Sequence, residues 1–167
     1  MQTYSLSQVN QMTKAEFIAV LGTIFEASPW VAEQAELKRP FETIEILYQT
    51  MVAIVKNSNS QQQLALIRTH PDLGSKAKMA ESSVKEQAGV GLDRLTSAEY
   101  QYFHQLNQTY KDKFGFPFII AVKNHTKTSI LAAFEQRLNH SIEAEKITAL
   151  EEIYKIAQFR LYEKTVR

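Results

Sequence analysis

The chain has 167 residues, 44% of them hydrophobic, which is enough for one domain with a proper hydrophobic core. Its 19 basic and 18 acidic residues nearly cancel, which argues against a protein that binds nucleic acid or anionic lipid through excess positive charge. The lack of cysteine excludes disulfides, thiol catalysis and cysteine-ligated metal sites.

The sequence has no segment that is typical of export or membrane insertion. Residues 1–5 contain no basic stretch followed by an apolar one, and no apolar run approaches the length of a membrane span. We therefore expect a cytoplasmic protein that binds a small molecule and contacts neither a membrane nor nucleic acid.

Helical patterns dominate the first half of the chain. Thr13 with Glu16 predicts a capping box at the start of an amphipathic helix. Pro40 predicts the start of a longer helix, which the polar loop at residues 57–60 ends. A short helix over about residues 61–69 follows, because apolar residues recur there at helical spacing.

Further helices are predicted in the second half. Thr96 with Glu99 predicts the start of one that ends at Gly115. The last helix is predicted to turn six residues towards the core, namely Ile147, Leu150, Ile153, Tyr154, Ala157 and Leu161. Together these patterns predict an all-α fold, a single-domain bundle of about seven to nine helices that occupies residues 1–167.

One apolar segment, residues 114–122, departs from the helical pattern. It contains Gly115, Pro117 and the β-branched pair Ile119 and Ile120. A strand without partners would leave its backbone donors and acceptors unpaired. We therefore expect either a buried helix, as the central core segment, or a segment whose main chain binds something else, such as a polar ligand.

His70 is the best candidate for chemistry because it stands directly before Pro71. The proline disfavours helical backbone at His70 and removes the next N–H donor, so the preceding helix should end there. An imidazole titrates near neutral pH, and a nearby carboxylate such as Glu86 can fix its tautomer and raise its basicity. The alternative is a histidine that only caps a helix end.

A polar group follows His70 in the sequence. Ser83, Glu86 and Gln87 are spaced so that they share one face of a helix. Ser83 and Glu86 also fit a capping box, which would stabilise a helix start and have no other function. The sequence favours neither interpretation over the other.

Arg160 is the charged residue that fits its surroundings least. It lies three, four and seven residues after Ala157, Ile156 and Ile153, beside the apolar face of the last helix. An always-charged guanidinium in that place needs an anionic partner. This partner is either an internal carboxylate or an anionic ligand, whose carboxylate would suit the guanidinium fork.

Other known chemical motifs are absent from the sequence. His104, His125 and His140 have no spacing that is typical of metal ligands, so we expect them to be solvated and assign them no role. There is no phosphate-binding glycine loop, dinucleotide fingerprint or nucleophile elbow.

Six motifs follow one another along almost the whole chain. They are Phe25–Trp30, Arg39–Phe41, His70–Leu73, Ser83–Gly89, Lys113–Phe118 and Arg160. In this order and spacing the chain resembles the 2-oxo-4-hydroxy-4-carboxy-5-ureidoimidazoline (OHCU) decarboxylase family of urate degradation. The resemblance implies an all-helical carboxy-lyase without cofactor or metal. Such an enzyme converts the ureidoimidazoline to (S)-allantoin and CO₂, commonly as a homodimer.

The resemblance also implies roles for individual residues. His70 is expected to be the catalytic acid or base, with Glu86 as its carboxylate partner. The implied substrate-binding residues are Pro71, Ser83, Val84, Lys85, Gln87, Phe118, Ile119, Ile120, Ala121, Val122 and Arg160. Those from Phe118 to Val122 present main-chain groups, whereas the side chains of Val84 and Lys85 are not essential.

Two other functions stay open from the sequence. In a noncatalytic helical binding module, His70 would cap a helix and Arg160 would form a structural ion pair, and no turnover would occur. In a metal-dependent hydrolase, His70 and Asp72 would act on a bound metal ion, and a chelator would abolish activity.

Overall fold

A computed structural model describes residues 2–75 and 79–166 of the chain. Within these residues it contains nine α-helices, so the predicted all-α fold is confirmed. The helices are α1 (Leu6–Gln11), α2 (Lys14–Leu21), α3 (Trp30–Glu36), α4 (Ile44–Lys56), α5 (Ser60–Arg68), α6 (Glu81–Gly89), α7 (Ser97–Phe114), α8 (Lys127–Arg137) and α9 (Ile142–Lys164). A 3₁₀ helix spans Val122–Asn124, and two short strands, β1 (Tyr4–Ser5) and β2 (Thr165–Val166), complete the described elements.

The chain forms two compact units. The first combines residues 1–69 with residues 154–167, and the second is formed by residues 70–153. No helix in the described part of the chain is both long and apolar enough to cross a membrane. The prediction of a single domain over residues 1–167 stays a prediction.

Capping boxes start several helices of the first unit, and the predicted one at Thr13 is confirmed. The Thr13 hydroxyl accepts a hydrogen bond from the Glu16 N–H, and the Glu16 carboxylate accepts one from the Thr13 N–H. The prediction for Pro40 was wrong by several residues, since α4 begins at Ile44. The Thr43 hydroxyl caps the helix by accepting a hydrogen bond from the Ile46 N–H. Pro40 cannot cap a helix in this way, because its side chain has no hydrogen-bond acceptor.

The first unit has an apolar core. α3 packs against both α2 and α4. Strand β1 pairs with β2 in parallel, with Tyr4 opposite Thr165. The largest fully buried side chains of this unit are Phe17, Leu21, Ile24, Phe25, Leu47, Met51, Leu66 and Ile67. Their burial is the main force that holds these helices together.

The second unit is built around aromatic side chains. α7 begins with the predicted capping box at Thr96 and Glu99 and ends before Gly115, whose φ of +80° suits the left-handed end of a helix. The Tyr110 ring, on α7, is fully buried and meets the Phe118 and Phe134 rings edge-on, at centroid distances of 5.4 and 6.3 Å. The predicted start and end of α7 are thus confirmed.

The first part of α9 turns a different face inward from the one predicted. Ile147 was expected in the core, but it is 61% exposed. Glu145, Ala149 and Glu152 are buried instead. The periodic apolar pattern was misleading here because buried partners in the second unit, described below, need these two carboxylates.

Candidate active site

His70 is the first residue of the second unit and lies where the sequence predicts a helix to end. α5 stops at Arg68, and Thr69 is its C-terminal cap. The His70 side chain is buried, with the residue 8% exposed, and its Nε2 atom is fully buried. An imidazole in such a place can exchange protons with a bound molecule without competition from bulk water.

Side chains from α6 and α7 fix the loop that follows His70. The Gly74 N–H donates a hydrogen bond to Gln87 Oε1 (3.0 Å). Asn107 Nδ2 donates to the Leu73 carbonyl (2.9 Å). Gly74 has a φ of +69°, and a Cβ there would lie 2.7 Å from Leu95, so the loop requires glycine at this position. Gln87 therefore holds the loop, and binding of a substrate by Gln87 stays a prediction.

α6 brings the predicted polar group together. Ser83 and Gln87 are buried and Glu86 is half-buried, as one shared helix face requires. The capping-box interpretation of Ser83 is wrong. The N-cap is Ala80, which makes no side-chain cap, and Ser83 lies inside the helix.

The exposed side of α6 carries the two remaining residues of this stretch. Val84 is 51% exposed and Lys85 is exposed. This position suits the expectation that their side chains are not essential. Binding of a substrate by Val84 or Lys85 stays a prediction, as does the contact of Glu86 with His70.

The apolar segment after Gly115 is neither helix nor strand up to Ala121, so the expectation of a buried helix was wrong, whereas its burial over residues 116–122 is confirmed. Two of its main-chain groups bind buried charged side chains. The Ala121 N–H donates to Glu152 Oε1 (3.1 Å), and the Ile119 carbonyl accepts from Arg137 Nη1 (2.6 Å). Side chains of α8 and α9 thus supply hydrogen-bond partners for part of this backbone.

α6 contacts the 3₁₀ helix that ends this segment. The polar face of α6 and the main chain of residues 118–122 therefore belong to neighbouring parts of one unit. Two cavities in the described part of that unit, of about 420 and 620 Å³, are lined by residues other than those predicted for the active site.

A buried ionic network contacts this segment through Arg137 and was not predicted from the sequence. Arg137 Nε lies 2.8 Å from Glu145 Oε1, and the Tyr110 hydroxyl donates to the same oxygen at 2.5 Å. His140 Nδ1 is 2.9 Å from Glu145 Oε2 and its side chain is 40% exposed, so this histidine, which we expected to be solvated, also has a buried partner. Burial, and next the hydrogen bond to Glu145, raise the pKa of Tyr110 well above its ordinary value.

A signal for this network was present in the sequence. Arg137 follows Phe134 by three residues and Ile130 by seven, so it lies on the apolar face of its helix. The same spacing had singled out Arg160. An arginine that interrupts an apolar stripe is therefore a usable indicator of a buried ion pair in this chain.

Arg160 lies in the first unit, where it has an internal partner. Its Nη1 atom is 2.8 Å from Glu26 Oε2, and both side chains are buried. Of the two predicted partners, the structure thus contains the internal carboxylate. Binding of the substrate by Arg160 stays a prediction.

The residues proposed for a metal-dependent hydrolase do not form a metal site. Asp72 pairs with Lys111, with its Oδ2 atom 2.7 Å from Nζ. Among residues 2–75 and 79–166, no three histidine, aspartate or glutamate side chains are grouped in a way that could hold a metal ion.

Known proteins are similar to this chain in sequence and fold. The sequence profile of the OHCU decarboxylase family matches residues 10–162. The 2-oxo-4-hydroxy-4-carboxy-5-ureidoimidazoline decarboxylase of Halalkalicoccus jeotgali is 45% identical over 166 residues, which are 99% of this chain and 94% of that protein. The protein of the same name from Haloferax volcanii is 43% identical and is covered, like this chain, over 98% of its length.

A solved structure gives the same result. The crystal structure of (S)-allantoin synthase superposes with a TM-score of 0.79 at 38% identity, over 96% of this chain. This chain spans 54% of that crystallised chain, about half its length. Because the profile and the relatives cover nearly every residue, the chain belongs to the OHCU decarboxylase family.

Proposed function

We propose that this chain decarboxylates OHCU to (S)-allantoin and CO₂ in urate degradation, without a cofactor. The observation that carries this proposal is the buried His70 imidazole. It lies in the same unit as the polar face of α6 and the main chain of residues 118–122, in a member of the OHCU decarboxylase family.

The reaction needs stabilisation of the negative charge that develops on the substrate ring, and it needs no cofactor to take up the electron pair. Loss of CO₂ breaks the bond between the carboxylate and the ring carbon, and the electron pair stays on the ring. The adjacent ring π-system can delocalise this pair as an enolate-like species. The protein must then supply N–H donors near the atom where negative charge grows, and loss of one such donor typically costs about 3 kcal/mol.

We assign this task to main-chain amides within residues 119–122. The Ala121 amide is an exception, because it already donates to Glu152. The side chains of residues 116–122 are apolar, and all of these residues are buried away from water. A low dielectric strengthens the attraction between an amide and a developing negative charge.

His70 and Glu86 are the proposed catalytic pair. Glu86 orients the imidazole, and His70 either takes the proton of the substrate hydroxyl or delivers one to the ring carbon. A proton donor fixed on one face of the ring explains why the product is a single enantiomer. Ser83, Gln87 and Pro71 are proposed to hold the substrate.

The remaining proposals come from the family resemblance. Val84 and Lys85 would line the substrate with side chains that are not essential, and Arg160 would bind an anionic or carbonyl part of it. A homodimer in the cytoplasm is the proposed state of the protein. Light scattering of the purified chain tests the dimer directly.

The decisive experiment replaces His70. Urate oxidase and hydroxyisourate hydrolase generate the substrate in place, and circular dichroism follows the appearance of optically active allantoin. General acid or base help is typically worth about 10²–10⁴-fold, so His70→Ala and Glu86→Ala should each slow conversion by at least about 10²-fold.

A matched control is available in the same unit. His104 is exposed on α7, so His104→Ala should keep the wild-type rate. Wild-type turnover by a folded His70→Ala variant would refute the catalytic assignment. Absence of turnover in the unmodified chain would favour a noncatalytic binding module.

A further inference from the structure

The main chain of residues 119–121 is held by charged side chains that lie outside the predicted site. Arg137, at the end of α8, donates to the Ile119 carbonyl at 2.6 Å. Glu152, on α9, accepts from the Ala121 amide at 3.1 Å. One carbonyl and one amide, two residues apart, are thus fixed by two different helices.

Arg137 makes three kinds of contact at once. Besides the Ile119 carbonyl, it pairs with Glu145 at 2.8 Å. Its guanidinium carbon lies 4.2 Å from the centre of the Phe118 ring, and that ring stacks on Phe134 at 3.7 Å. The planar fork of arginine is suited to such simultaneous contacts, whereas the single ammonium of lysine is not.

Buried charges are an expensive way to hold a loop. Removing ions from water costs free energy, and well-packed apolar side chains often stabilise a fold equally well. The side chains of Arg137 and Glu145 are 8% and 0% exposed, and Glu152 is buried as well. What charged groups add over apolar ones is direction, because their hydrogen bonds orient individual backbone atoms.

We infer that Arg137 and Glu152 are positioning residues for the decarboxylation: they set the location of the main chain that meets the substrate and do not touch the substrate themselves. The inference rests on the proposed function and assigns two further residues to it. A misplacement of about 1 Å in such a segment can cost about 10²-fold in rate.

Glu152 allows the cleanest test. Glu152→Gln keeps a side-chain oxygen that can accept from the Ala121 amide, whereas Glu152→Met has a similar length and no such acceptor. We expect Glu152→Gln to stay within about threefold of the wild-type kcat and Glu152→Met to lose about 10- to 100-fold. The loss should appear mainly in kcat, since charge stabilisation is realised in the transition state.

A matched control lies next to this residue. Glu151 is exposed on the same helix, so Glu151→Met should keep both the rate and the optical purity of the product. A merely structural role of Glu152 predicts a lower melting temperature with an unchanged kcat per folded molecule. A positioning role predicts a lower kcat and a lower excess of the (S) product in the folded fraction.

A second variant covers the case in which Glu152→Met fails to fold. Arg137→Lys keeps the positive charge beside Glu145 but cannot reach the Ile119 carbonyl and Glu145 together. We expect it to lose about tenfold in kcat and to lose optical purity. Folding of each variant is checked by circular dichroism before the rates are compared.

Failure of the inference differs from failure of the proposed function. An active wild type with folded Glu152→Met and Arg137→Lys variants of unchanged kcat and optical purity overturns the inference alone. A wild-type chain without turnover overturns the proposed function and the inference with it. The inference is supported if kcat falls in Glu152→Met and Arg137→Lys and stays close to the wild-type value in Glu152→Gln and Glu151→Met.

Discussion

Each unit of the molecule contains a buried arginine–glutamate pair, and the two pairs have the same N–O distance and similar burial. Arg160 pairs with Glu26 in the first unit, and Arg137 pairs with Glu145 in the second. The N–O distance is 2.8 Å in both, and no side chain of either pair is more than 8% exposed.

The pairs differ in what else they contact. Arg137 donates a short hydrogen bond to the Ile119 carbonyl, in the segment proposed to meet the substrate. Arg160 reaches the Ile24 carbonyl at 3.5 Å, which is long for a hydrogen bond. The same local sequence pattern thus produces the same ion pair, and in the second unit the arginine of the pair also holds a carbonyl of the segment proposed to meet the substrate.

Breaking the pair of the second unit should have the largest effect on stability. Glu145→Ala leaves Arg137 charged and buried and also removes the acceptor of Tyr110. We expect the free energy of unfolding to fall by about 3–5 kcal/mol, because loss of one partner leaves an uncompensated buried charge. Urea unfolding followed by circular dichroism measures this loss, and a change below about 1 kcal/mol would contradict it.

The next effect concerns the phenol that shares Glu145. Tyr110→Phe removes one hydrogen bond to a carboxylate, which is typically worth about 1.5–3 kcal/mol. In the folded protein the pKa of Tyr110 is raised by burial and by the Glu145 hydrogen bond. Its contribution is therefore fully present below about pH 10 and is lost as the pH rises further.

Urea unfolding of wild type and Tyr110→Phe over a pH series checks this prediction. The stability difference between them should be constant at neutral pH and should shrink above about pH 10. Tyr102→Phe is a surface comparison: the Tyr102 hydroxyl donates to Glu135, which also raises its pKa, so its stability difference should follow the same trend and be smaller. A difference that grows at alkaline pH would contradict the assignment.

A smaller change is expected when the pair of the first unit is replaced as a whole. Arg160→Met combined with Glu26→Leu removes both charges together, so no buried ion is left without a partner. Such replacements are often neutral or stabilising, and we expect an unfolding free energy within about 1 kcal/mol of wild type or above it.

Each single variant is the control for this double replacement. Arg160→Met or Glu26→Leu alone should cost several times more, and similar losses in all three proteins would show that the pair does not act as a unit. Activity of the folded double variant also tests whether Arg160 binds the substrate.

The smallest effect is expected at a half-buried pair near the surface, which contrasts with the two fully buried pairs. Glu99 accepts from the Thr96 N–H and lies 3.2 Å from Lys127 Nζ. The backbone hydrogen bond, and next Lys127, hold the pKa of Glu99 below its ordinary value. Its contribution is therefore present above about pH 4.3 and is lost as the pH falls through the lowered pKa.

Melting temperatures of wild type and Glu99→Gln between pH 7 and pH 3 test this sign. The wild type should melt slightly higher at pH 7, and the two curves should meet at acid pH. Added salt should reduce the difference at pH 7 because surface pairs are screened.

Helix starts were predictable where one side chain meets a backbone group three residues away. Thr13 with Glu16 and Thr96 with Glu99 are such local pairs, and both form the expected capping boxes. Pro40 misplaced a helix start because a proline permits a first turn without supplying the acceptor that Thr43 provides.

The candidate site was predictable to the same extent. Pro71 correctly indicated that α5 ends before His70, since the effect of a proline on the preceding residue is local. The role of Gln87 as the partner of Gly74 was not predicted, because the two lie thirteen residues apart on different elements.

Local sequence patterns were thus sufficient for the helical class, for several helix starts and for the presence of a histidine at a helix end. Only the tertiary structure showed that Glu145 and Glu152, and not Ile147, face inward on α9. Hydrophobic periodicity cannot reveal this, because a carboxylate is stable in a core only when distant residues supply its partners. Those partners include Tyr110, 35 residues before Glu145, and the Ala121 amide, 31 residues before Glu152.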